Sequence, residues 1–273
     1  MIAGDRSMLL AIDIGNTNIV CGVFSGEKLT AKARIATDNR KTTDEYGTLL
    51  TNILALRTHT EDIEASGHVS GMVISSVVPP LTSTFRELGI AYFGVDPLVV
   101  GPGIRTELAV KYDDPRKVGA DRIVNAVAGI FLYKPPLIIV DFGTALTFCA
   151  ITRDNEYIGG AIFPGLHTSY SALAQRAALL SMIEFRMPRS PIGKTTEESL
   201  LSGAINGYAA VVEGMIARFK PELGDDVTVV GTGGMVHLVA QATSAFHVID
   251  PDLTLKGLKI LYNMNRERTD RTA

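Results

Sequence analysis

Two short stretches of this chain carry residue types suited to holding phosphate: Asp13-Ile14-Gly15-Asn16-Thr17 and Asp141-Phe142-Gly143-Thr144. Each sets a carboxylate at the end of an apolar run, then a glycine, then amide or hydroxyl groups. The carboxylate can meet a divalent cation, and the glycine lets backbone donors approach an anion closely. Asp-x-Gly alone is common and often marks nothing more than a hairpin turn. Here the whole surrounding stretch is repeated. Leu9–Val23 (LLAIDIGNTNIVCGV) and Leu137–Ile151 (LIIVDFGTALTFCAI) lie in register, with Leu9 on Leu137, Asp13 on Asp141, Gly15 on Gly143 and Cys21 on Cys149. A third glycine turn, Gly231-Thr232-Gly233-Gly234, is expected at another strand end. Two such turns facing each other would hold a polyphosphate between their donors.

A second chemical centre is Gly119-Ala120-Asp121-Arg122. Asp121 falls at the start of a predicted helix, where a carboxylate caps free N–H groups. The other reading is a carboxylate that accepts the proton of an attacking hydroxyl. Arg122 is either a solvated charge or an anion-binding side chain. Other nucleotide motifs fail. Gly193-Lys194-Thr195 looks like the end of a P-loop, but the required earlier glycine is Pro188 and no strand precedes it. The Gly231 turn has Val236 where a dinucleotide fingerprint needs its third glycine. The five histidines show no metal-ligand spacing, and two cysteines do not make a structural zinc site.

The elements that must position these groups follow from hydropathy and turn chemistry. Met8–Asp13, Asn18–Phe24 and Leu29–Thr37 read as three strands, with a hairpin at Ser25-Gly26-Glu27-Lys28. A helix starts at Thr42-Thr43-Asp44-Glu45, and Gly71–Val78 is a strand halted by Pro79-Pro80. A helix over about Leu81–Tyr92, a strand at Pro97–Val100, a loop to Val118 and a helix over Gly119–Tyr133 complete the first half. Lys134-Pro135-Pro136 is the boundary, dividing the chain into domains 1–134 and 135–273. The second half repeats the order: strands at Leu137–Asp141, Leu146–Thr152 and Tyr157–Phe163, then a helix from Pro164-Gly165 to about Ala178. After a loop at Met187–Gly193 come a long helix over Thr196–Phe219 and a strand at Val227–Val230. Helices at about Met235–Thr243 and Leu253–Asn265 follow. The expected class is α/β, two similar domains facing each other across a cleft.

Composition narrows the functional classes. With 273 residues, 46% hydrophobic and 20% charged, the chain can bury a large core. A net charge of −3 gives no general support for a nucleic-acid surface. Cys21 and Cys149 lie in buried strand patterns, so reduced thiols and a cytoplasmic home are expected. Met1–Ser7 reads as an upstream extension rather than a signal peptide, because Asp13 interrupts the first apolar run. No apolar run approaches the roughly 20 residues that span a bilayer, so no membrane association is expected.

Taken in order, Asp13-Ile14-Gly15-Asn16-Thr17, Ser75-Ser76-Val77-Val78-Pro79, Gly101-Pro102-Gly103, Gly119-Ala120-Asp121-Arg122, Asp141-Phe142-Gly143-Thr144 and Gly231-Thr232-Gly233-Gly234 form a specific set. The sequence resembles the type III pantothenate kinases, of the acetate-and-sugar-kinase, heat-shock-ATPase and actin superfamily, from about Met8 to Tyr262. The resemblance implies two actin-like (ribonuclease H-like) domains and ATP-dependent phosphorylation of pantothenate to 4′-phosphopantothenate. It implies nucleotide binding by Asp13, Ile14, Gly15, Asn16, Thr17, Asn18, Ile19 and Val20, with a second contact at Thr144. It implies a general base at Asp121, and pantothenate binding by Tyr112, Gly119, Ala120, Asp121, Arg122 and Thr196. It further implies magnesium with the ATP, potassium (or ammonium) at Asp141, and a homodimer. One departure follows Asp141-Phe142-Gly143-Thr144-Ala145: the family often has a polar pair there, whereas here Leu146 precedes Thr147. Two alternatives remain at this level: a non-catalytic accessory protein of the same fold, or a kinase or phosphatase for another small hydroxy acid.

Overall fold

Both copies of the repeated stretch fold as strand, tight turn and antiparallel return strand, and a sheet grows outward from each. The computed structural model describes residues 8–58, 69–177, 180 and 183–272, with side chains as far as Arg266. The expected extension Met1–Ser7 lies outside the described residues. By contact density the chain divides into two units. One takes the residues up to Thr106, Arg116–Ala128 and the stretch from Thr254 onward; the other takes Glu107–Pro115 and Gly129–Leu253.

In the first unit β1 (Met8–Ile14), β2 (Asn18–Ser25) and β3 (Lys28–Ala36) form an antiparallel meander. β4 (Val69–Ser76) adds parallel to β1, and β5 (Leu98–Val99) parallel to β4. The order is β3-β2-β1-β4-β5. Helix α1 (Thr43–Thr58) begins with a capping box: Thr42 N–H donates to Glu45 Oε2 at 2.8 Å and Glu45 N–H to Thr42 Oγ1 at 3.3 Å. Helix α2 (Pro79–Phe93) starts on its prolines, which lack the donor that a helix start leaves idle.

The second unit repeats this plan. β7 (Leu137–Phe142), β8 (Ala145–Ile151) and β9 (Glu156–Pro164) form the meander, and β10 (Thr228–Gly233) and β11 (Val248–Ile249) add in parallel. The order β11-β10-β7-β8-β9 matches the first sheet strand for strand, with β6 (Ala109–Val110) added beside β9. Helix α3 (Ala120–Leu132) contributes to both units, to Ala128 in one and from Gly129 in the other. The remaining helices are α4 (Leu166–Arg176), α5 (Thr196–Leu223), α6 (Val236–Val239) and α7 (Leu253–Thr272). The mixed α/β class and the two-sheet, actin-like organisation expected from the sequence are present.

Three local expectations are corrected. The segment to Val118 is not all loop: it holds β6 and a short 3-10 turn at Pro115–Lys117. Two residues carry no periodicity, and only pairing with Glu156 and Tyr157 makes them a strand. Likewise β11 has no local signal. The glycines at Gly231 and Gly233 lie inside β10 rather than in a turn beyond it, because the ladder to β7 continues as far as Gly233 opposite Phe142. The expected end of α4 near Ala178 lies outside the described residues; the helix is seen to Arg176.

Each sheet has two working faces. In the first, Leu10, Ile12, Ile14, Ile19, Cys21, Met72 and Ile74 join Tyr46, Leu50, Leu81 and Phe85 of α1 and α2 in one apolar cluster. Burial of each such side chain contributes roughly 1.5–3 kcal/mol. Side chains alternate along a strand, so Ala11, Asp13, Gly71, Val73 and Ser75 belong to the opposite face. That face carries α7: a Cβ on Gly71 would strike the Tyr262 hydroxyl. In the second unit Ile138, Val140, Phe142, Phe148 and Val229 pack against α5 and α6. Asp141 and Thr232 fall on the other face, where Gly129 of α3 lies against Leu137 and Ile139. By length and composition α5 alone among the described helices could cross a membrane. Its Ala204, Ile205, Ala209, Val212 and Ile216 are buried against the second sheet.

Candidate active site

The first turn is closed by its own backbone and braced by one residue from outside it. Gly15 N–H closes onto Asn18 O at 3.0 Å. Thr37, just past β3, pins it from the side: its Oγ1 donates to Gly15 O at 2.7 Å and its N–H to Thr17 O at 3.0 Å. Asn16 and Thr17 are left exposed at the tip, while Asp13, Gly15, Asn18 and Val20 are half-buried. Ile14 and Ile19 are fully buried in the apolar cluster. Their side chains serve the core, and any contact they make with a nucleotide is through backbone.

Asp13 stands at the tip of β1, directly opposite Ser75 of the parallel strand β4. Val77 N–H extends that pairing to Ile14 O at 3.0 Å. Ser75 is fully buried, and its hydroxyl has no hydrogen-bond partner among the described residues. The negative charge of Asp13 also reaches the core face. Burial first, and Asp13 second, push the Cys21 thiol up to about 12.

The predicted base lies in the same unit. Gly119 precedes α3, and its carbonyl accepts from Arg122 N–H at 3.1 Å and Ile123 N–H at 3.2 Å. Asp121 Oδ1 accepts from Arg122 N–H at 2.8 Å, so the carboxylate is folded toward the helix start. Gly119, Ala120, Asp121 and Arg122 are all half-buried. A Cβ on Gly119 would lie 2.5 Å from Asp121 Oδ1 and 3.7 Å from Cγ1 of Val77, the residue just past β4. The Gly119–Arg122 segment therefore adjoins the residue that follows the strand carrying Ser75.

The second unit presents the matching set. Asp141 is half-buried at the end of β7, opposite the buried Thr232 of β10. Gly233, at φ +91°, leaves no space for a side chain: a Cβ would be 2.6 Å from both Asp141 Oδ1 and Phe142 N. The turn closes with Gly143 N–H to Ala145 O at 3.1 Å. Thr144 O accepts from Gly165 N–H at 3.0 Å and Thr168 Oγ1 at 2.8 Å, which ties the exposed turn to the start of α4. Tyr112 is exposed, its ring 6.3 Å from that of Tyr157. Thr196 is exposed at the first position of α5, after its cap Thr195. Asp13, Asp121 and the Gly119 segment thus belong to one unit, and Thr144, Asp141, Tyr112 and Thr196 to the other.

The donor chemistry fits hard cations. Among the described residues no group of three or more His, Cys, Asp or Glu is gathered as for an all-protein metal site. Magnesium does not need one, since it binds through one or two carboxylates plus substrate phosphates. Asp13 beside an unpartnered buried hydroxyl supplies such oxygens. Asp141 opposite Thr232, with Gly233 leaving no room for a side chain against the carboxylate, offers oxygen groups of the kind hard cations take. Sequence reasoning passed over Thr37 and Thr168, and assigned Ser75 and Thr232 no role of their own. Their signal is the pairing itself, which no local pattern contains.

Known proteins match the chain closely. A family model described as type III pantothenate kinase matches residues 9–218. Two curated relatives carry the name type III pantothenate kinase. One, from Bacillus cytotoxicus, is 47% identical over 258 residues, covering 94% of this chain and 97% of the relative. The other, from Geobacter sulfurreducens, is 47% identical over 260 residues, covering 95% and 100%. Among solved structures, component A of (R)-2-hydroxyglutaryl-CoA dehydratase from Acidaminococcus fermentans superposes with a TM-score of 0.56 at 12% identity. It covers 97% of this chain and 99% of that one, a likeness of fold alone.

Proposed function

This chain belongs to the type III pantothenate kinase family and is a phosphotransferase; from that premise we propose how its residues divide the work of phosphorylating pantothenate with ATP. The product, 4′-phosphopantothenate, is the first intermediate of coenzyme A synthesis. The observation that carries the reading is the 47% identity to named kinases across 94% of the chain.

Phosphoryl transfer asks for positioning and charge neutralisation more than for covalent catalysis. The Asp13–Val20 turn takes the phosphates of ATP, with Asn16 and Thr17 as its exposed donors and Thr37 as its brace. Magnesium, when bound, screens the charge of those phosphates, and potassium does so near Asp141. Asp13 holds the first ion and Asp141 the second, while Thr144 makes the other nucleotide contact. Asp121 accepts the proton of the primary hydroxyl of pantothenate, and Arg122 pairs with its carboxylate. Gly119 leaves the Asp121 carboxylate the space it occupies. Tyr112 and Thr196 are the further pantothenate contacts. A homodimer in the cytoplasm, acting without nucleic acid or membrane, completes the proposal, with Lys134–Pro136 as the seam between the repeated halves, residues 1–134 and 135–273.

The test is a coupled ADP-release assay on purified protein, with ATP, magnesium and potassium, against pantothenate and a panel of small hydroxy acids. Turnover on pantothenate alone is expected. Turnover on a different hydroxy acid, or ATP binding without turnover, would replace the substrate or the enzyme assignment.

A further inference from the structure

The Ser75 hydroxyl is the one feature of the first unit's site that the roles above leave idle. It is fully buried and has no hydrogen-bond partner among the described residues. Proteins bury such a group without a partner only rarely, because its desolvation goes uncompensated. Its neighbour in the parallel ladder is Asp13. Strands in a ladder lie about 4.8 Å apart, and paired residues put their side chains on the same face. A hydroxyl on one and a carboxylate on the other are then within reach by rotation about χ1 alone. The second unit repeats the arrangement: Thr232, also buried, stands opposite Asp141 at the matching place on the matching strand. The chain thus sets a hydroxyl beside each strand-tip carboxylate, although the residues flanking it differ, Ile74 and Ser76 in β4 against Gly231 and Gly233 in β10.

We propose that Ser75 is a positioning residue for the metal–nucleotide complex: its hydroxyl donates a hydrogen bond to the Asp13 carboxylate when that carboxylate turns to hold the cation. This rests on the reading of Asp13 given above. The carboxylate then has one oxygen directed to the cation and the other held by Ser75. Partners of metal-binding carboxylates act in this way, and losing one costs roughly 10–100-fold in metal affinity. The bond forms only in the loaded state, so Ser75 contributes nothing to the fold of the ligand-free protein.

The experiment compares wild type, Ser75→Ala and Ser75→Thr. Manganese binding in the presence of ADP is read by electron paramagnetic resonance, ADP binding without metal by calorimetry, and melting of the ligand-free protein by scanning fluorimetry. Ser75→Ala is expected to melt at or above the wild-type temperature, to bind metal-free ADP equally well, and to lose about 10-fold or more in manganese affinity. Ser75→Thr, which restores the hydroxyl in the form found at position 232, is expected to recover most of that loss. A lower melting temperature for ligand-free Ser75→Ala, or manganese affinity equal to wild type, overturns the proposal. Failure of the wild-type protein to bind manganese with ADP would instead overturn the assignment of Asp13, and the two failures are distinguished by that control.

Discussion

At the level of single residues, the chemistry turns on which carboxylates are free to act and which side chains are inert. Asp121 has two candidate roles, and the structure shows it performing one: Oδ1 accepts from the N–H of Arg122 at the start of α3. Asparagine accepts the same bond and caps equally well, so Asp121→Asn is expected to melt like wild type. It has lost its basicity, so kcat is expected to fall roughly 10²–10⁴-fold. Steady-state kinetics on the folded variant decides this, and wild-type turnover would remove Asp121 as the base. The cysteines lie at the other extreme. Cys21 is buried and pushed up to about 12, and Cys149 is buried beneath the Tyr157 hydroxyl. Only the thiolate attacks alkylating reagents. At pH 8 the native protein is expected to take up no iodoacetamide, and the denatured protein one equivalent on each cysteine, as read by mass spectrometry.

At the level of elements, the turns are held by parts of the chain distant in sequence. The second turn shows it best: Gly143 O and Thr144 O would both be struck by a Cβ on Gly165. The obstacle is backbone on both sides, and neither side can swing away. Gly165→Ala is therefore expected to cost roughly 1–3 kcal/mol and to displace the Thr144 turn, lowering both melting temperature and nucleotide affinity. Gly207, in the middle of α5, has open space where a Cβ would go. Gly207→Ala is expected to gain up to about 1 kcal/mol from helix propensity and to leave affinity unchanged. Paired thermal melts and nucleotide titrations check the opposite signs. The same principle governs α7. Its Tyr262 fills the space over Gly71, so the last helix of the chain covers the sheet formed by the first strands.

For the molecule as a whole, the duplication uses the same sheet plan twice. Sheet orders β3-β2-β1-β4-β5 and β9-β8-β7-β10-β11 coincide, and each places one carboxylate opposite one hydroxyl residue at a strand tip. The partners differ: Ser75 at the first and Thr232 with Gly233 at the second. The assignment of a monovalent cation to Asp141 predicts that turnover in potassium or ammonium exceeds turnover in sodium at equal ionic strength. The rate difference is expected to vanish in Asp141→Asn while the melting temperature holds. Equal wild-type rates in the two salts would remove the cation from Asp141.

Much of this was readable from residues alone, for a physical reason. Strand, turn and helix starts are local events, and Asp13-x-Gly15, the proline entry to α2 and the Thr42–Glu45 capping box carry their own signals. The α/β class, the repeat and the segments that bear the candidate carboxylates followed from such signals. Non-local pairing leaves no such trace. Nothing near Ala109 or Val248 announces a strand, since each is made one only by the edge it joins. Nothing near Thr37 or Thr168 marks them as braces, and nothing at Leu253 says which sheet α7 will cover. The sequence determined what the Asp13 and Asp141 turns are made of. The tertiary structure decided what stands beside them, because a neighbour across a ladder is set by register and not by proximity in the chain.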